Sequence, residues 1–164
     1  MRWWRPQVRV RRLLAEDAEP WRALRLEALR LHPEAFGSTH DEWAGQPLSV
    51  FVDRLNRAVI LGAFFRGDLV GSMALDAEGE TGEITAVYIR PDQRGRGLAR
   101  RLMARVLRIA KQAGLRRLTL TVAETNHPAL RFYLAAGFRR QARAARALSR
   151  DGRLLDLITL SRDL

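Results

Sequence analysis

The 164-residue chain contains no cysteine, which excludes disulfides, thiolate-bound zinc and a cysteine nucleophile. Histidine is scarce: His32, His40 and His127 are the only three, and no two of them have the helical spacing of a zinc motif. No metal site is therefore expected. Long apolar runs are absent too, since none approaches the roughly 18 residues that a membrane span needs. The opening Met1-Arg2-Trp3-Trp4-Arg5-Pro6 is basic but leads into no apolar signal-peptide core, so a cytoplasmic protein with no membrane partner is expected. Lysine is nearly missing as well: 28 of the 29 basic residues are Arg, and the other is Lys111.

Set against 18 acidic residues, this leaves a net charge of +11. The excess predicts attraction to polyanions without choosing among phosphates, nucleic acid and acidic lipid. With 47% of its residues hydrophobic, the chain can bury a core, and its length suggests one domain spanning 1–164.

Apolar and charged residues alternate from Val8 to Leu14, the period of a half-buried strand. A helix follows over Trp21 to Leu31, stopped by His32-Pro33, then a loop or short helical turn over 33–48. A second helix is predicted from Ser49, as a possible cap, to Arg57. Val59 to Phe65 and Leu69 to Leu75 form a hairpin around Arg66-Gly67-Asp68, and a polar turn over Asp76 to Gly82 precedes a strand at Glu83 to Ile89. Leu98, Leu102, Val106, Ile109 and Ala113 mark a long amphipathic helix over Arg96 to Ala113. A strand at Arg117 to Ala123, a short helix at Pro128 to Ala136 and a closing hairpin from Phe138 to Ser161 complete an α/β domain with a mixed sheet.

The segment Val87-Tyr88-Ile89-Arg90-Pro91-Asp92-Gln93-Arg94-Gly95-Arg96-Gly97-Leu98-Ala99-Arg100 carries the most chemistry. A strand runs into a glycine turn that opens a helix, where free amides and the positive end of the helix dipole make a phosphate site. Arg94, Arg96, Arg100 and Arg101 add charge there. The triphosphate loop with its Gly-Lys-Ser/Thr ending is absent, and Arg100 stands where a dinucleotide fingerprint needs a small residue. A plain turn with solvated arginines is the other reading of these residues.

Arg94-Gly95-Arg96-Gly97-Leu98-Ala99 resembles the Arg/Gln-x-x-Gly-x-Gly/Ala signature of the GNAT superfamily of N-acetyltransferases. Asn126-His127-Pro128-Ala129-Leu130-Arg131-Phe132-Tyr133-Leu134-Ala135-Ala136-Gly137-Phe138 resembles that family's second block. The resemblance is firmest over 83–138. It implies a mixed, mostly antiparallel twisted sheet of about seven strands flanked by about four helices. It also implies acetyl transfer from acetyl-coenzyme A (acetyl-CoA) to a primary amine of a small molecule or protein. The coenzyme would lie against Val87, Tyr88 and Ile89 and over Arg94, Gly95, Arg96, Gly97, Leu98, Ala99 and Arg100, with Asn126 reaching its pantetheine arm.

Within that resemblance Tyr133 is the expected acid for the leaving thiolate, or else an amphipathic wall residue. Asn126 caps the helix at Pro128 in either case. Glu83 stands eleven residues before Arg94, the offset of a catalytic glutamate in the family's histone-modifying members. Partial burial would raise its pKa for service as a base; a solvated strand-end charge is the alternative. Glu34, Asp41 and Glu42 could attract an amine or be loop charges, and Phe36 and Trp43 could line a pocket or fill the core. Two other functions stay open: a coenzyme-binding regulatory module without turnover, and a nucleic-acid-associated protein using Arg139, Arg140, Arg143, Arg146 and Arg150. The closing hairpin also leaves a homodimer open.

Overall fold

The computed structural model describes residues 7–164; the basic opening segment Met1–Pro6 lies outside them. The order is β1 (Val8–Arg12), α1 (Ala18–Leu31), α2 (His40–Ala44), α3 (Leu48–Arg57), β2 (Val59–Phe65), β3 (Asp68–Glu78), β4 (Thr81–Ile89), α4 (Leu98–Gln112), β5 (Arg117–Ala123), α5 (His127–Ala135), β6 (Arg139–Arg150) and β7 (Arg153–Asp163). The seven strands form one sheet in the order β1-β2-β3-β4-β5-β7-β6. β4 and β5 pair in parallel, and every other neighbouring pair is antiparallel.

The α/β class and strand assignments agree with the pattern read from the sequence. The differences have local causes. A fifth helix, α2, forms because Thr39 and Glu42 make a reciprocal cap: the Thr39 amide donates to Glu42 Oε2 at 2.9 Å, and the Glu42 amide to Thr39 Oγ1 at 3.3 Å. Helix α3 begins at Leu48 with Pro47 ahead of it, so Ser49 lies inside the helix rather than capping it. Helix α4 starts at Leu98, not Arg96, because Gly97 has a left-handed φ of 76° that no helical residue adopts. The polar stretch from Asp76 continues the strands, which turn only at Gly79 and Glu80. No described helix is long and apolar enough to cross a membrane.

Alternation along the strands sends side chains into two cores. Leu61, Met73, Leu98, Leu102, Val106 and Leu118 fill the layer under α4 and α5. Trp21, Leu24, Phe51, Leu55 and Ile60 fill the layer under α1 and α3. Trp21 meets Phe51 edge-on at 5.7 Å between ring centroids, a favourable aromatic geometry.

The edge strand β6 is exposed over most of its length. Its register shifts between Arg140 and Ala142 and again between Ala144 and Leu148, and bulges with charged side chains discourage edge pairing. Arg143 donates to Glu124 at 3.1 Å and also pairs with Asp156, while Arg150 donates to the Phe36 carbonyl at 3.1 Å and to that of Gly37. These two arginines of the closing hairpin are thus engaged within the molecule.

Buried Asp17 pins β1 to the start of α1. It accepts 2.8 Å hydrogen bonds from both terminal nitrogens of Arg11 and from the Leu14 amide. Arg11 holds the Asp17 carboxyl below the usual carboxylate range against the opposing effect of burial, with Leu14 assisting. A carboxyl lowered in the fold adds stability above its unfolded pKa near 3.9, and that share is lost as pH falls through the folded value. Asp17→Asn should therefore cost about 2 kcal/mol at pH 7. In urea unfolding, the gap between variant and wild type should narrow progressively below about pH 4.

Candidate active site

The parallel ladder between β4 and β5 comprises only Thr81↔Arg117, Gly82↔Leu118 and Glu83↔Thr119. Both strands run on, β4 against β3 and β5 against β7, and so part from one another. Beyond the last pair lies a cleft of about 680 Å³ between Ile84–Ile89 on one side and Leu120–Ala123 on the other.

A bulge shapes the β4 wall. Ser72 faces Tyr88 and Ala74 faces Thr85, so Ala86 and Val87 together oppose Met73. Ala86 takes a left-handed φ of 52°, a strained conformation for a residue with a Cβ and one concentrated at functional sites. The extra residue reverses the facing of the strand. Ile84 enters the α4-side core, whereas Tyr88, four residues on, enters the α1-side core. Val87 is left without a ladder partner.

At one end the cleft continues into a groove of about 240 Å³ over the start of α4, lined among others by Arg94, Gly95, Gly97, Leu98, Ala99 and Arg100. Gly95 and Gly97 have left-handed φ of 79° and 76°, and a Cβ on either would project into open space. No described side chain caps α4. Its first-turn amides are therefore free to receive an anion, favoured further by the helix dipole. The arginines divide here. Arg94 borders both the groove and the cleft and donates to the Ile89 carbonyl at 3.2 Å. Arg100 also borders the groove. Arg96 instead stacks over Phe65 at 4.5 Å, and Arg101 reaches the Val8 carbonyl. The structure thus brings Arg94 and Arg100 to the groove and turns the Arg96 and Arg101 side chains elsewhere.

Tyr133 lines the cleft, 7% exposed. Helix α5 orients it: Asn126 caps the helix by accepting from the Ala129 amide at 3.3 Å, and Tyr133 packs edge-on against Phe132 and Phe138. Burial alone pushes its hydroxyl well above the usual phenol range, so it keeps its proton at neutral pH. Asn126 borders the same cleft. Tyr88 contributes backbone to the wall, but its ring lies on the other face, where its hydroxyl donates to Glu27 at 3.1 Å. Burial and, after it, Glu27 push the Tyr88 hydroxyl up to about 12.

At the other end is a compartment of about 270 Å³ bordered by Arg25, Glu34, Phe36, Glu83, Thr85 and Leu148 among others. Glu83 lies there rather than beside Tyr133, and its side chain is exposed. The partial burial expected for it is not found, because it sits on the paired segment before the strands separate. Of the acidic loop residues, Glu34 borders both the cleft and this compartment, Glu42 serves the α2 cap, and Asp41 points to solvent. Phe36 borders both spaces, and Trp43 packs on Trp21 and Phe51. Next to the compartment, Arg54 donates to Asp76 Oδ2 at 2.7 Å and Thr85 donates to the same oxygen at 3.1 Å. Arg54 holds the Asp76 carboxyl below the ordinary range against the opposing effect of burial.

Sequence reasoning missed Phe132, which borders cleft and groove, and Arg25. Phe132 falls inside the second motif and could have been found there, but Arg25 lies in an ordinary amphipathic helix and gave no signal.

A family model described as the Acetyltransferase (GNAT) family matches residues 13–138, and the chain belongs to that family. A mycothiol acetyltransferase from Clavibacter michiganensis is 32% identical over 125 residues, covering 76% of this chain and 40% of that protein. Another from Thermobispora bispora is 33% identical over 131 residues, covering 76% and 43%. The chain thus spans about two-fifths of the length of these relatives. A GNAT-family acetyltransferase structure from Streptococcus pneumoniae superposes with a TM-score of 0.86 at 21% identity, over 96% of this chain and 99% of that one. An N-acetyltransferase from Thermoplasma acidophilum, solved in complex with coenzyme A, gives 0.76 at 18% identity over 97% and 100%. At these identities the structural matches establish the fold.

The groove carries its own test. A side chain at position 97 would occupy open space above the α4 amides and strain a left-handed backbone at about 1–3 kcal/mol. Gly97→Val should weaken coenzyme A binding about tenfold or more by calorimetry, while Arg96→Ala should change it less than Arg94→Ala.

Proposed function

We propose that this chain is an N-acetyltransferase that moves the acetyl group of acetyl-CoA directly to a primary amine. The observation that carries the reading is the line of three connected spaces along the parting of β4 and β5. An anion groove lies at one end, a protonated buried phenol in the middle and an acid-lined compartment at the other end.

The residues suit the coenzyme. Amides at the α4 start, with Arg94 and Arg100, hold the pyrophosphate. Val87, Ile89, Asn126 and Phe132 flank the arm, and the coenzyme supplies an acetyl group activated as a thioester. The amide of Val87, which follows the Ala86 bulge and borders the cleft, serves as the donor at the thioester carbonyl, where it stabilises developing negative charge. Glu83, at the mouth of the compartment, takes the ammonium proton through water so that the nitrogen can attack. The C–N bond forms, the nitrogen gives up its second proton to solvent as the C–S bond breaks, and Tyr133 gives its proton to the departing thiolate and is reprotonated from solvent. No covalent enzyme intermediate is needed, in keeping with a chain that lacks cysteine.

A thiol-release assay with acetyl-CoA over a panel of amines, polyamines, aminoglycosides and peptides tests the reading. Coenzyme binding without acetyl transfer to any of them would favour a regulatory module instead. Tyr133→Phe should lower kcat about 100-fold or more with coenzyme affinity nearly unchanged; unchanged turnover would remove its acid role. Glu83→Gln should depress activity chiefly below the pKa of the acceptor amine, and an unaltered pH profile would count against a base at this position.

A further inference from the structure

The compartment beside Glu83 contains a cation that no described residue neutralises. Arg25 projects from α1 and is 9% exposed. Its guanidinium lies over Phe36 at 5.0 Å and Trp43 at 5.7 Å from the ring centroids. Among the described residues it makes no salt bridge, and its buried Nη1 has no hydrogen-bond partner. The neighbouring Arg54 is already matched by Asp76. Burial, with a smaller push from Arg54, pulls the Arg25 guanidinium down to about 10, so it is charged at neutral pH while its surroundings disfavour that charge. A buried, unpaired guanidinium is expensive unless an anion arrives to satisfy it. Its planar fork matches a carboxylate, and the flanking rings hold the fork in place.

We infer that Arg25 binds a carboxylate on the acceptor, so that the substrate is a small amine that also carries a carboxylate group. The charges in the compartment agree. Glu34 and Glu83 attract the ammonium end, and one uncompensated guanidinium suits a single negative charge. A phosphate dianion would bring surplus negative charge against the same two carboxylates. The size agrees as well: about 270 Å³ lies just below the usual range of small-molecule sites, matching an amino acid better than a folded protein surface. The inference rests on the acetyl-transfer reading for the amine but not for the carboxylate, and the two can fail separately.

The decisive measurement is calorimetric binding of acetylated compounds to the protein saturated with coenzyme A. N-acetyl-leucine is compared with N-(3-methylbutyl)acetamide, and N-acetyl-phenylalanine with N-acetyl-phenethylamine; within each pair only the carboxylate differs. The wild type should prefer the carboxylate members by about 100-fold, the upper range for hydrogen bonds to a charged group. Arg25→Met should reduce that preference below about threefold, and Arg25→Lys should keep only part of it. Circular dichroism and the thermal midpoint establish that each variant is folded. Equal binding of both members by the wild type overturns the inference, as does a preference that survives in folded Arg25→Met. Should Arg25→Met not fold, the wild-type ratio and Arg25→Lys decide. In the parallel thiol-release assay, leucine should exceed 3-methylbutylamine in kcat/KM by a similar factor. Absence of transfer to every amine would overturn the acetyl-transfer reading and leave the binding ratio to judge Arg25.

Discussion

Two neighbouring parallel strands that stop bonding to one another while each remains bonded on its far side create the whole working region. After Glu83↔Thr119, β4 stays with β3 and β5 stays with β7. A gap in the middle of a sheet would normally leave main-chain groups exposed to an apolar interior, which is costly. Here it opens onto a cleft, and α5 supplies Tyr133 to its far wall. The layers on both faces of the sheet hold the strands apart, since each has its own apolar core.

An ion pair and its hydrogen-bonded partner also lie near the divergence. Arg54 from α3, Asp76 from β3 and Thr85 from β4 share hydrogen bonds at the last regularly paired position before the Ala86 bulge. The network ties the α1–α3 layer to the sheet where the strands separate. In that setting Arg25 stands out because Arg54 beside it is matched by Asp76, whereas Arg25 has no carboxylate partner among the described residues. Aromatic faces recover part of the cost of burying its charge, but they provide no acceptor for its N–H groups.

Much of the architecture was legible from residue order. Period-two runs marked the strands, the spacing of Leu98, Leu102 and Val106 marked α4, and the two motifs located both the groove and Tyr133. Less could be read where tertiary packing overrides local pattern. Ile84 and Tyr88 share a parity that places them on one face of any regular strand, and only a bulge at alanine, a residue with no turn signature, separates them. Four arginines around the glycine loop looked equivalent, yet the Phe65 ring and the Val8 carbonyl draw two of them away. The exposure of Glu83 likewise depends on which strands adjoin it, a fact of topology that one strand does not carry.

The two ends of the cleft also come from different parts of the chain. The anion groove is assembled within a short stretch, from Ile89 to Arg100 with Phe132. The far compartment draws on α1, the loop after it, β4, β5 and the closing hairpin, and Arg150 fastens that hairpin to the loop through the Phe36 and Gly37 carbonyls. Inheritance can therefore act on the two ends at different speeds. The local end can persist unchanged through duplication, while the scattered end, assembled from distant segments, can diverge by small changes in any of them and give descendants with new tastes in partner.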